Sequence, residues 1–497
     1  MGEFITFPEL FIWLPLLAGI LAFFLKGQQA KTWAVVSSLI VLAVVVVSLF
    51  YTDDKQYAAY NNVNYYWLKQ IGNSFNVGLD ATGRLLALLT AIAFPVIFIS
   101  TSNRNYKNAS AFYGLMLLSQ CGIMGVFVSL DALLFYFFWE LALIPVYFLC
   151  SRWGGEKRIQ ATFKFFVYTF AGSLLMLAGL LYVYMHTGQR TFQDGTVSAH
   201  SFSIHAFMNT GLSFKEQAWL FTLFFTAFAI KMPIFPFHTW QPDTYDQSPT
   251  SVTMVLSAVM VKMGLFAVMR WLIPVLPAAA LQHSHIIISI CIIGILYASC
   301  IALVQDNIKK LIAYSSIAHI GLMCAAIFSF TELGVQGAVI QFFSHGINIL
   351  GMWVVFDIIE RQTGVKHISQ LGGVAHKAPV LTIFLVIIAL ANIALPLTNA
   401  FVGEFMMLGG LFKVNAWYAF AAGLAIILSA TYTLRMIRNV FYGEVSPAVA
   451  GMKDISFGEK TALASLVLLI FLFGVMPQPM IDFTKDALKN ILAVLPR

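Results

Sequence analysis

Long apolar runs, separated by short polar segments, dominate the chain from end to end. A helix crosses the bilayer core with about 20 mainly apolar residues. Runs of that kind fall at 8–25, 32–51, 81–101, 111–129, 131–150, 162–186, 217–240, 251–273, 284–304, 311–329, 333–356, 380–408, 415–442 and 460–482. The least distinct boundaries are the tight turn near Ser129–Asp131 and two runs interrupted by proline. The runs are continuous rather than alternating in polarity, which excludes a β-barrel. The pattern predicts an all-α polytopic membrane protein of about fourteen transmembrane helices.

Composition strengthens this reading. Of 497 residues, 60% are hydrophobic and 10% are charged, against about 25% charged in an ordinary soluble domain. So few charges cannot cover that much apolar surface in water. The partner implied is the lipid bilayer. A nucleic-acid-binding domain, a disordered scaffold and a secreted disulfide framework are excluded, and the net charge of +7 is assigned to basic cytoplasmic loops. Cys121, Cys150, Cys291, Cys300 and Cys324 lie in or at the ends of apolar runs, without a CxxC motif or a close histidine. They read as packing residues. The start, Met1-Gly2-Glu3-Phe4, has no basic region and runs into Pro8 and a full-length apolar segment, which reads as a first span rather than a signal peptide.

Lysine and arginine in the loops set the orientation. Sixteen of the 29 fall in the loops after the first, third, fifth, ninth, eleventh and thirteenth spans. Ten fall on the other side, and Lys164, Lys231 and Lys262 lie within spans. This places both termini outside the cytoplasm, on the periplasmic side of a bacterial inner membrane. The two long loops, 52–80 and 187–216, then lie on the outer side. The first is rich in aromatic residues and asparagine (Tyr60, Asn61, Asn62, Asn64, Tyr65, Tyr66, Trp67) and is expected to form a short hairpin.

Four ionisable residues stand where apolar residues belong: Glu140, Lys231, Lys262 and Glu404. Each buried charge costs at least about 2.5–3.5 kcal/mol on insertion scales. Glu140 lies nine residues past Asp131, about 13 Å along a helix, so it is too deep and too short to snorkel. Structural salt bridges are one reading of the set. The stronger one is that these groups bind or pass an ion through a hydrated interior.

Two of the four stand beside helix breaks. Lys231-Met232-Pro233-Ile234-Phe235-Pro236-Phe237-His238 carries two prolines, and Leu395-Pro396-Leu397-Thr398-Asn399 interrupts the run that contains Glu404. Broken helices persist in membranes where protein or water satisfies the freed backbone groups, and such breaks carry the ion sites of many transporters. They also suggest a repeat. Spans four to eight and nine to thirteen are five helices each, with the broken one fourth in each block. Tandem blocks of odd number lie upside down relative to each other. The domain organisation expected is helices one to three with the outer loop (1–110), a first five-helix repeat (111–273), an inverted second repeat (284–442), and a last helix and tail (443–497).

Histidines stand near these charges. His319 and His345 occupy the middles of adjacent spans, with Tyr314, Ser315, Ser316, Ser344 and Asn348 nearby, and His238 follows the first break. Histidine titrates near neutral pH and can relay a proton, although a buried histidine also serves as a hydrogen-bonded core residue. Buried lysine titrates nearer working pH than free lysine. Glu140 is the expected ion-pair partner of Lys231. No glycine-rich nucleotide loop and no cysteine ligand set is present, so no cofactor or metal is expected in this chain.

At these residues the chain resembles the antiporter-like subunits of bacterial proton-pumping NADH:quinone oxidoreductase (respiratory complex I), a class shared with multisubunit cation/proton antiporters and membrane hydrogenases. The matching stretches are Phe138-Trp139-Glu140-Leu141-Ala142-Leu143-Ile144-Pro145, Lys231-Met232-Pro233, Pro236-Phe237-His238-Thr239-Trp240, Val261-Lys262-Met263-Gly264, Leu311 to His319, and Asn399-Ala400-Phe401-Val402-Gly403-Glu404-Phe405. Glu404 in the second broken helix resembles the subunit M type, because the L and N types carry lysine there. The chain also lacks room for the lateral helix of the L type. The resemblance implies Glu140 and Lys231 as the input pair, Lys262 with His319 and His345 as a central relay, and Glu404 as the outlet. His238 is a candidate opening to the cytoplasm. NADH, FMN, iron–sulfur clusters and quinone are implied in partner subunits, and the other membrane-arm subunits are the implied neighbours. One departure is that Leu397-Thr398 follows Pro396 where a glycine-rich turn is expected. Two other functions compete: a subunit of a cation/proton antiporter or membrane hydrogenase, and a scaffold with dead channels. A dead channel gives no reason to keep four ionisable groups in apolar helices.

Overall fold

The computed structural model describes residues 5–52, 54–191 and 195–495. The opening Met1–Phe4, on which the reading of the chain start partly rests, lies outside the described residues. A helix occupies every apolar run. In chain order these are α1 (Phe7–Ala22), α2 (Gln28–Ser48), α3 (Ala81–Ser100), α4 (Ala109–Val128), α5 (Ala132–Trp153), α6 (Arg158–Met185), α7 (Phe214–Lys231) and α8 (Trp240–Gln247). There follow α9 (Thr250–Val275), α10 (Pro277–Val304), α11 (Ile308–Phe328), α12 (Glu332–Thr363), α13 (Pro379–Asn392), α14 (Asn399–Val414), α15 (Ala416–Phe441), α16 (Phe457–Val475) and α17 (Gln478–Ala493). Among the described residues, 11 helices are long and apolar enough to cross a membrane unaided. Of the predicted spans, the first is shorter, and those at 217–240 and 380–408 are each divided in two. The run at 460–482 ends early, at Val475, and α17 follows it as a separate amphipathic helix.

Burial separates an inner set of helices from an outer one. α9 and α12 are enclosed along their apolar windows and α11 nearly so, whereas α2, α15 and α16 expose most of theirs. Exposed Phe, Leu and Ile on the outer set suit lipid or protein neighbours. Lys262, His319 and His345 stand on the enclosed α9, α11 and α12, whereas Glu140, Lys231 and Glu404 stand on partly exposed helices.

The loop at 52–80 contains the expected hairpin, β1 (Asn62–Leu68) against β2 (Asn73–Gly78), in antiparallel register. Asp131 fastens it to the helices. Its carboxylate accepts from Asn73 Nδ2 at 2.7 Å and caps α5 through the backbone N–H groups of Leu133 and Leu134. Such a cap stabilises a helix start by about 1 kcal/mol.

At the opposite end, ion pairs tie distant segments together. Arg104 donates to Asp357 at 2.7 Å, and Lys309 to Glu360 at 2.9 Å. Lys164 pairs with Asp243 and Lys366 with Asp246. Asp306, in the turn before α11, accepts from the backbone and side chain of Ser369. Partial burial raises its carboxyl pKa, but these bonds and His367 outweigh that and hold it below the usual carboxylate range. The five cysteines are free thiols, four buried and Cys300 exposed.

Candidate functional site

The centre of the molecule holds a line of ionisable side chains on four helices. Lys262 stands on α9 between two π-helical turns, Leu256–Met260 and Val268–Leu272. Such turns occur often at functional sites because they change which backbone groups are free. Lys262 is fully buried. Its Nζ donates to the Ser257 carbonyl at 3.0 Å and meets His345 Nδ1 at 2.9 Å. A charged lysine has no acceptor, so in that state His345 is neutral and accepts through Nδ1.

His345 on α12 lies with its ring 5.3 Å from the ring of His319 on α11. His319 Nδ1 contacts Glu404 Oε1 at 3.0 Å. Gln341, one turn before His345 on α12, donates to the same carboxylate oxygen at 3.3 Å. Lys262, His345, His319 and Glu404 therefore form a continuous row across α9, α12, α11 and α14. The only step wider than a hydrogen bond separates the two imidazoles. The Nε2 atoms of both histidines are buried without a hydrogen-bond partner. A buried polar site of this kind suits ordered water, which closes such a step.

Glu404 is 3% exposed and faces this row rather than lipid. The break before it spans residues 393–398 between α13 and α14. Ala394 and Leu397 take left-handed φ angles of 58° and 73°, which costs roughly 1–2 kcal/mol each in residues with a Cβ. The glycine-rich turn suggested by the resemblance is thus replaced by ordinary residues held in strained conformations. What allows this lies on another helix: a Cβ on Gly474 of α16 would stand 2.2 Å from the Leu397 carbonyl oxygen. Ser344 and Asn399 exchange hydrogen bonds with each other's backbone carbonyls, fixing the start of α14 against α12.

The first break, residues 232–239, lies between α7 and α8. Trp240 Nε1 donates back to the Ile230 carbonyl at 2.9 Å, tying the two halves together. Lys231 is buried, and its Nζ has no hydrogen-bond partner. It stands 5.4 Å from the centre of the Trp139 ring. The expected contact ion pair with Glu140 is not formed. Glu140 acts on Lys231 only at longer electrostatic range. It is half-buried beside Tyr136, Phe137, Ile144 and Trp67 of the hairpin, with Oε1 unpartnered. The reason is helical geometry: Trp139 and Glu140 are successive residues on α5, and the one that turns toward Lys231 is the indole. His238 is buried among Phe235, Tyr297 and Tyr314, with Nδ1 unpartnered.

The structure thus joins Lys262, His345, His319 and Glu404, and leaves the half-buried Glu140 and the buried Lys231 and His238 as separate groups. Gln341 was absent from the sequence-based candidates. Its four-residue spacing from His345 was the available signal. The Ser257 carbonyl offered none, because only the π-helical turn shows its role. Among the described residues no cluster of three or more His, Cys, Asp or Glu is placed to hold a metal.

Residues 129–429 match the family model described as NADH:quinone oxidoreductase/Mrp antiporter, TM. The chain is 36% identical to the NADH-quinone oxidoreductase subunit M of Rickettsia prowazekii (strain Madrid E), over 97% of each chain. It is 32% identical to the F(420)H(2) dehydrogenase subunit M of Methanosarcina mazei, over 98% of each. A chain of the respiratory complex I of Thermus thermophilus superposes with a TM-score of 0.89 at 27% identity, covering 98% of this chain and 99% of that one. The matched region contains all seven residues singled out above, and the chain belongs to the NADH:quinone oxidoreductase/Mrp antiporter family.

Proposed function

We propose that the chain is the subunit M of a NADH:quinone oxidoreductase, a multi-pass membrane-arm subunit that translocates protons while partner subunits carry the redox chemistry. The observation that carries this reading is the row Lys262–His345–His319–Glu404. Each member can gain or lose a proton, and two of the three steps between them are contacts of 3.0 Å or less. Lys262 passes a proton to His345, His319 receives it through water, and Glu404 holds it at the second break for release. Glu140, Lys231 and His238 form the input side. Lys231 has no contact partner to hold its proton, so a movement of Glu140 toward or away from it changes its affinity for that proton.

The arrangement is read as two inverted five-helix repeats, 111–273 and 284–442, each with one broken helix, flanked by 1–110 and 443–497. Both termini face the periplasm, as the bias of basic loops supports. NADH, FMN, iron–sulfur clusters and quinone are held by partner subunits and none by this chain. The second reading, a subunit of a cation/proton antiporter, is favoured by the breadth of the matching family. Glu404 and the identity to subunits M over nearly the whole chain favour the first.

The test is co-purification of the chain with its partners, followed by NADH oxidation and proton-uptake assays in proteoliposomes. Recovery of an NADH-oxidising assembly whose proton translocation requires Lys262 is expected. A complex that exchanges protons for sodium or potassium without oxidising NADH contradicts it.

A further inference from the structure

A second set of buried polar atoms approaches Lys262 from the end of α12. Asp357 lies twelve residues beyond His345, about 18 Å along the helix. It is 1% exposed. Arg104 donates to its Oδ1, while Oδ2 has no partner. One turn closer to His345, the indole Nε1 of Trp353 is unpartnered, and its ring meets Tyr245 of α8 edge-on at 5.8 Å. The Tyr245 hydroxyl faces the side chains of Gln241 and Ser257 without hydrogen-bond geometry to either. The carbonyl of Ser257 accepts from Lys262. Asn348, three residues after His345, has both amide atoms unpartnered.

Buried polar side chains are nearly always hydrogen-bonded, so each exception needs a cause. Here such atoms follow one another from Asp357 to Trp353, one turn away on α12, then to Tyr245 against the Trp353 ring, and from Tyr245 to Ser257, whose carbonyl holds Lys262. The Tyr245 and Ser257 hydroxyls can each donate and accept, as a chain of buried waters requires.

We propose that these residues line a proton-uptake path that enters at Asp357 and joins the relay at Lys262, separate from the Glu140–Lys231 side. The proton arrives on Asp357 Oδ2, whose other oxygen Arg104 holds still. It crosses by exchange along waters and the Tyr245 and Ser257 hydroxyls, and it binds neutral Lys262. Asp357 is thereby returned to its carboxylate. Trp353 donates only, so it orients a water rather than carrying the proton.

This rests on the relay reading of Lys262, and the experiment separates the two. In the assembled NADH:quinone oxidoreductase in proteoliposomes, Tyr245→Phe removes one hydroxyl and leaves the packing intact. Acidification per NADH is expected to slow about tenfold, less than the roughly 10²-fold loss typical of a positioned proton-transfer group, because water bridges part of the gap. The solvent deuterium isotope effect should rise at the same time. Asp357→Asn should slow transport further, and Asp357→Glu should restore much of it. Wild-type rates in Tyr245→Phe, or slowing with an unchanged isotope effect, overturn the path. If Lys262→Ala also pumps normally, the relay itself fails. If Lys262→Ala is dead while Tyr245→Phe is normal, only the path fails. Should Asp357→Asn not assemble, Tyr245→Phe decides alone.

Discussion

The two broken helices place their charges differently. At the first break Lys231 is buried against an indole, its carboxylate partner stands out of contact, and both groups have unpartnered atoms. At the second, Glu404 is held by His319 and Gln341 and joined through histidines to Lys262. An unpaired buried charge is in a high-energy state that small movements change strongly. A row held by contacts at both ends keeps its geometry, so a proton moves along it with only local turning of imidazoles and water. The first break is therefore suited to switching and the second to conduction.

Lys262 is where this contrast breaks most completely. Lys262→Ala should lower proton translocation by at least about 10²-fold, the scale of a lost acid–base group. Lys262→Arg should not rescue it, because arginine stays protonated. An active arginine variant would mean that a fixed positive charge suffices. NADH-driven acidification by the assembled enzyme measures both.

Glu140→Gln should also remove most pumping while assembly is retained. It deletes the charge that acts on Lys231 at a distance, and no contact pair is there to be broken. Native electrophoresis together with acidification rates checks this. Full pumping would make the first break a structural feature only.

Single loss of a relay histidine should be milder, on the order of tenfold, because water replaces one imidazole. His345→Ala should exceed His319→Ala if direct contact with Lys262 matters most. Equal effects would show that the histidine pair acts as one unit.

The smallest effect is expected at Gly474. A methyl group there meets the Leu397 carbonyl, so Gly474→Ala should destabilise the second break by about 1–3 kcal/mol and lower the thermal stability of the complex. An unchanged melting temperature would show that the strained turn has room to relax.

Much of this was legible in the sequence for a physical reason: charges inside apolar runs are too costly to be incidental. Glu140, Lys231, Lys262 and Glu404 stood out on that ground, and the two prolines of Met232–Pro236 marked a break. His319 and His345 were legible as candidates, since they sit mid-helix near other polar residues, but their order, His345 against Lys262 and His319 against Glu404, was not. What was not legible depends on facing or on distant contacts. Trp139 and Glu140 are adjacent in sequence, and only the packed helix shows which of them meets Lys231. The turn at Leu397 depends on Gly474 in another helix, which no local pattern reveals. Asp357 lies just past the apolar run at 333–356, where a charge draws no notice, and only the enclosed structure shows that its Oδ2 is buried.

Exchange at position 404 tests the central claim, that the row from Lys262 to Glu404 carries the proton, most directly. Glutamine keeps the size of the side chain and its hydrogen bonding but cannot take up a proton. NADH-driven acidification by the assembled enzyme is the measurement, with Glu404→Gln compared against Glu404→Lys. Lysine still titrates and, by family resemblance, serves at this place in related subunits. The account predicts a sharp loss in the glutamine variant and retained transport in the lysine variant. Wild-type acidification by Glu404→Gln would contradict it.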